Sequence, residues 1–147
     1  MFQHILVPVD GSATANKAAD AAATLASEIE AKVTVIHVVH TYPYAGFGAG
    51  FAEGQSLYLA AATASANDSI ASVRDKMQGK GIAVETRVVE SNVVWRGVVE
   101  TTEAVGADLI VMGTHGRSKI DRLLLGSVTQ RVLSHASVPV MVIHGDD

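Results

Sequence analysis

The 147 residues, 48% of them hydrophobic, suffice for one domain with a buried core. With 11 Lys and Arg against 15 Asp and Glu, the net charge of −4 lacks the basic face of a general nucleic-acid binder, and the absence of cysteine excludes disulfides and thiolate metal sites. No apolar run approaches the ~18–20 residues of a membrane span. Met1-Phe2-Gln3-His4 also lacks the basic and apolar regions of a signal peptide. The expectation is one cytoplasmic domain over 1–147, with no nucleic-acid partner and no membrane insertion.

Ile5-Leu6-Val7-Pro8-Val9 is a continuous apolar run, as in a central parallel strand covered on both sides, with Pro8 near its carboxyl end. Asp10-Gly11-Ser12 is a turn with a helix cap at Ser12. Residues 13–30, with Ala18, Ala22, Leu25, Ala26 and Ile29 at helical spacing, predict an amphipathic helix. Val33–Val39 is a second buried strand, in which His37 reads as a satisfied core histidine. Residues 40–54 are rich in glycine and aromatics and predict the longest and most mobile loop. A long helix follows over 55–78, ended by Gly79 and Gly81.

Ile82–Val89 alternates as a strand with one exposed face, as at a sheet edge. Ser91-Asn92 is placed to cap a helix over 93–105, and Trp95 reads as a core residue of it. Asp108-Leu109-Ile110-Val111-Met112 is a buried strand. Beyond it Gly113, Gly116 and Gly126 punctuate a loop that also carries Thr114, His115, Arg117, Lys119 and Arg122. Ser127-Val128-Thr129-Gln130 matches a capping box and opens a helix to about Ser134. Val138–Ile143, with Pro139 at its start, is a last strand suited to an edge.

Regular alternation of five strands with four helices predicts an α/β fold with a doubly wound parallel sheet. In such sheets a ligand sits beyond the carboxyl ends of the strands, where the winding reverses. For an order 3-2-1-4-5 the reversal lies between the first and fourth strands. Asp10-Gly11-Ser12 and Gly113–Gly116 then share one crevice, with the end of the second strand at Val38-Val39-His40 as its third wall. Neither G-x-x-x-x-G-K-[ST] nor a G-x-G-x-x-G after the first strand occurs; the loop reads G-x2-G-x9-G-S. Glycines between a strand and a helix bring backbone N–H groups, cations and a helix N-terminus to one anionic point. Ser127 reads equally as a helix cap and as a phosphate-binding hydroxyl.

His4–Ser12, Ile36-His37-Val38, Ala107–Gly116, Leu125–Thr129 and Val138–Val142, in this order, resemble the ATP-binding branch of the universal stress protein family over essentially the whole chain. The resemblance implies a flavodoxin-like sheet of order 3-2-1-4-5 and ATP in the crevice. It places Asp10 near adenine and ribose, the Val38 backbone on the adenine, and Pro8 and Val9 in the wall. Met112 and Gly113 would line the path from ribose to phosphate. Gly116, Gly126, Ser127 and Val128 would cradle the phosphates, with Thr129 close by. Arg117 and Lys119 join this set by charge and position. Mg²⁺ or Mn²⁺ would be held mainly by phosphate oxygens and water. The resemblance also implies a homodimer through strand 138–143, which a bare apolar edge independently favours, with assembly into a higher oligomer left open.

The function expected is a nucleotide-dependent regulatory protein of the stress response, acting through a protein partner such as a membrane transporter. No catalytic residue and no protein metal site is assigned. The alternative is a slow ATPase or a nucleotide or phosphate transferase on the same fold, for which Asp10, His115 and Asp121 are the only candidates to orient water.

Overall fold

A computed structural model of the chain describes residues 1–41, 49–115 and 125–145. Its elements run β1 (His4–Pro8), α1 (Ala13–Ile29), β2 (Lys32–His40), α2 (Ala49–Gly79), β3 (Val84–Ser91), α3 (Val94–Val105), β4 (Leu109–Gly113), α4 (Ser127–His135) and β5 (Val140–Ile143). The five strands form one parallel sheet in the order β3-β2-β1-β4-β5. The doubly wound architecture expected from the alternation is therefore present, with β3 and β5 at the edges.

Alternate residues of each strand feed two cores. Ile5, Val7, Val33, Val35, Leu109 and Val111 pack with Ala18, Ala22 and Ala26 of α1 and with Ile70, Val73 and Met77 of α2. Leu6, Ile36, Ile110 and Met112 point the other way, to Val98 of α3 and Val132 of α4. Burial on both faces explains why β1, β2 and β4 read as continuous apolar runs. The alanine face of α1 lets that helix lie close to the sheet.

Two boundaries differ from the sequence reading in ways that matter. Helix α2 starts at Ala49, six residues before the expected position, so it takes in Gly50 and Gly54 and shortens the predicted loop. Helix α4 is capped by Gly126 and not by Ser127, which is its first helical residue. The capping box is absent: Gln130 Nε2 donates to the Leu125 carbonyl at 2.9 Å. The caps of α1 and α3 fare differently. Ser12 Oγ accepts from Ala15 N–H at 3.2 Å, as expected. The N-cap of α3 is Val93, and Ser91 Oγ instead accepts the Val93 N–H and donates to the Val93 carbonyl.

The end of the sheet away from the glycine loop is held by one carboxylate. Asp108, just before β4, accepts from Gln3 N–H at 2.9 Å and from His4 N–H at 3.0 Å. His4 itself is only 5% exposed, with Nε2 2.7 Å from Thr34 Oγ1.

Candidate functional site

The crevice arises because β2 outruns β1. Their register ends at Pro8↔Ile36, and the Val9 N–H donates to the Ile36 carbonyl at 2.8 Å as the final rung. Residues of one strand that bond to the same neighbour recur every second position. The next residue of β2 to face the β1 side is therefore Val38, beyond that rung. On its other side β2 continues pairing with β3 as far as His40↔Ser91. A notch thus opens above β1, with the Val38 backbone along one side and the exit of β4 along the other.

That notch is a cavity of about 510 Å³, within the usual range for a small-molecule site. Pro8, Val9 and Asp10 form its floor, Val38 one wall, and Met112, Gly113, Gly126, Ser127, Val128 and Thr129 the opposite wall. Ten of the residues expected from the sequence thus meet around one space. Gly116, Arg117 and Lys119, the remaining three, lie outside the described residues, as do Asp121 and the 42–48 part of the glycine-aromatic loop.

Each wall has a local cause. Gly11 has φ +83°, a left-handed conformation that lets the chain turn sharply from β1 into α1. Across this turn Asp10 Oδ1 accepts from Ser12 N–H at 2.9 Å, which holds the carboxylate in place at the cavity. On the far side Gly126 N–H donates to the Thr114 carbonyl at 2.7 Å, bringing the start of α4 back to the end of β4. Buried Thr129 reinforces the closure by donating its hydroxyl to the Gly113 carbonyl at 2.9 Å. These two groups build the site. The Ser127 and Val128 N–H groups belong to the first turn of α4, where a helix has no internal acceptor to offer, and both residues line the cavity at the positive end of the helix dipole.

The sequence reading places His40 and His115 at the crevice, but not His37 or the residues of α2 and α3. His37 is half-buried and borders the cavity, so it is not the core histidine its apolar strand suggested. His40 also lines it, with Nε2 2.7 Å from the Asn92 carbonyl, tying the overhang of β2 to the loop before α3. His115 lies beside Gly126, with Nδ1 2.9 Å from Thr114 Oγ1. Tyr58, Ala62 and Ser65 of α2 and Val94 and Val98 of α3 complete the surround. His40 is legible in the sequence as the end of the second strand, the third wall of the crevice. For the α2 residues the only signal was helical spacing, which does not distinguish a core from a cavity. Trp95 stands apart, stacked on His135 with ring centroids 4.2 Å apart.

Among the described residues no three His, Asp or Glu side chains converge on a metal position. Nor is any described helix long and apolar enough to cross a membrane.

Comparison with known proteins agrees with this architecture. Residues 1–144 match the model of the universal stress protein family. Universal stress protein MJ0531 of Methanocaldococcus jannaschii is 35% identical over 97% of this chain and 82% of its own length. Among solved structures, protein MJ0577 superposes with a TM-score of 0.88 at 25% identity, covering 100% of this chain and 99% of its own. A universal stress protein solved in complex with cAMP is 26% identical, with a TM-score of 0.68 over 97% of each chain.

Proposed function

The chain belongs to the universal stress protein family, and from that membership we propose that it binds ATP in the crevice above β1 and serves as a nucleotide-dependent regulator. One observation carries this reading. A single cavity joins a strand edge at Val38 and a carboxylate at Asp10 to the N-terminus of α4 at Ser127 and Val128. The first pair suits a base and ribose, and the helix end suits phosphates. The relative bound to cAMP supports a nucleotide of the adenine class.

The phosphates meet backbone N–H groups of α4 and, in this reading, the cations Arg117 and Lys119. Charge-assisted hydrogen bonds of this kind contribute about 1.5–3 kcal/mol each. Mg²⁺ or Mn²⁺ is carried on phosphate oxygens and water, since among the described residues Asp10 is the only carboxylate lining the cavity. Regulation proceeds through a protein partner in the cytoplasm that distinguishes loaded from empty protein, a membrane transporter being one such partner, and the protein acts as a homodimer paired through β5.

Titration calorimetry with ATP and Mg²⁺ tests the binding step. Saturable one-site binding that weakens at least tenfold in Asp10→Ala is expected; no heat with either nucleotide or metal overturns the reading. His115 keeps a second reading in view, a slow ATPase, because its ring lies beside the phosphate end of the cavity. Multiple-turnover release of ADP, abolished in His115→Ala with ATP binding retained, would favour it.

A further inference from the structure

The core-facing stripe of α2 runs past the end of the sheet. Ala66, Ile70, Val73 and Met77 recur at helical spacing and are buried against the strands. One turn and two turns earlier the same stripe reaches Ala62 and Tyr58, which border the crevice, with Ser65 beside them. Tyr58 therefore stands on the packing side of its helix yet is 52% exposed. The cavity residues next to it on this helix, Ala62 and Ser65, are small. His37 and Val39, which by alternation share the β2 face of Val33 and Val35 that α2 packs against, border the cavity on this side. The two ends of the crevice thus differ: a helix N-terminus at the α4 end and an aromatic ring at the α2 end.

We infer that Tyr58 is a base-contacting residue, its ring covering the planar base of a bound nucleotide whose phosphates lie at α4. This assignment rests on the nucleotide reading above and adds to it the element that holds the base. Stacking on an aromatic ring tolerates different bases, so Tyr58 supplies affinity while the Val38 edge reads the hydrogen-bonding pattern.

The test compares wild-type protein with Tyr58→Ala, Tyr58→Phe and Leu57→Ala by calorimetry, using ATP, adenosine and inorganic tripolyphosphate. Leu57 is in the same turn, 69% exposed and outside the cavity wall, so it serves as the control. Tyr58→Ala should weaken ATP and adenosine about tenfold, a factor typical of one lost base stack, and leave tripolyphosphate unchanged. Tyr58→Phe and Leu57→Ala should stay within about twofold of wild type for all three ligands. If wild type binds ATP and Tyr58→Ala binds it equally well, or loses tripolyphosphate in the same proportion, the base-contact assignment falls while the nucleotide reading stands. A wild-type protein that binds neither ATP nor adenosine overturns both.

Discussion

At position 113 there is no room for a side chain. A Cβ there would come within 2.7 Å of Thr14 Cγ2 and 3.2 Å of the Thr14 backbone. Its motif suggests a glycine that admits phosphate, but its immediate duty is to let the first turn of α1 lie against the end of β4. Gly113→Ala should therefore destabilise the fold by about 1–3 kcal/mol, as overpacking does. Urea unfolding measures this, and Thr14→Ala in the same chain should restore part of the loss. Gly126 is less tightly enclosed, with 3.1 Å to the Thr114 carbonyl oxygen. The paired titratable residues at the other end of the sheet set a pH dependence. Burial foremost, then Lys32, pushes the His4 imidazole below its ordinary value, against the opposing pull of Asp108, Glu85 and the Val105 carbonyl. The unfolded chain then takes up a proton near pH 6.5 more readily than the fold does, so stability falls as pH drops through 6.5 and levels off below the depressed folded value. For Asp108, burial acts to raise the carboxyl, but N–H groups of Gln3, His4 and Asp108 itself outweigh it and hold the group low. Its contribution is present above the ordinary carboxylate value and is lost as pH falls through the lowered one. Urea midpoints measured between pH 7.5 and 5 should decline in wild type and flatten in His4→Gln.

Among the elements, α2 shows best where sequence patterning stops being informative. Its lower half announces itself through Ile70, Val73 and Met77, residues that need a core. Its upper half contains Gly50 and Gly54, which individually disfavour a helix, and the sequence reading accordingly starts the helix only at 55. The helix continues because its lower turns are already anchored, so each added residue extends an existing helix without a new nucleation cost. The glycines then persist with no packing reason: a Cβ at Gly54 meets nothing within 4 Å. Gly54→Ala should therefore stabilise the protein by about 1 kcal/mol, read as a rise in the thermal midpoint. A drop would show that this position carries a contact beyond the helix itself. Gly97 of α3 is the contrary case, since a Cβ there would stand 3.1 Å from both Ser91 Cβ and Val38 Cγ1. Its absence keeps α3 close to β2, at the strand residue that borders the crevice. The capping-box motif at Ser127–Gln130 misled for a simpler reason. Gly126 is already held by Thr114 at the cap position, so the helix begins one residue earlier than the motif requires.

For the molecule as a whole, topology was the most legible level. Strands buried on two faces must be apolar throughout, and their alternation with helices gave the doubly wound sheet from patterning, while the order 3-2-1-4-5, and with it the meeting of Asp10, Val38 and Gly113, came from the family resemblance. The α2 side of the crevice came from neither, because it depends on how far β2 projects past β1, a three-dimensional offset with no sequence mark. The same geometry bears on assembly. Strand β5 is the apolar edge beside β4, with Met141 39% exposed. Its bonds to β4 are marked by Ile110 N–H to the Pro139 carbonyl and Thr114 N–H to the Ile143 carbonyl. By the two-residue period, Val140 and Val142 turn their N–H and C=O groups away from β4, toward the open edge. Within Val140–Ile143 no charge and no proline blunts that edge against pairing with a second copy. Val142→Pro removes one outward N–H and leaves every β4–β5 bond its donor. In the proposed dimer this should separate the subunits while the circular dichroism spectrum is retained. Light scattering should then give twice the 15.3 kDa chain mass for wild type and the single mass for the variant. A folded Val142→Pro protein that still runs as a dimer would place the interface on another face, and a monomeric wild type would remove the pairing altogether.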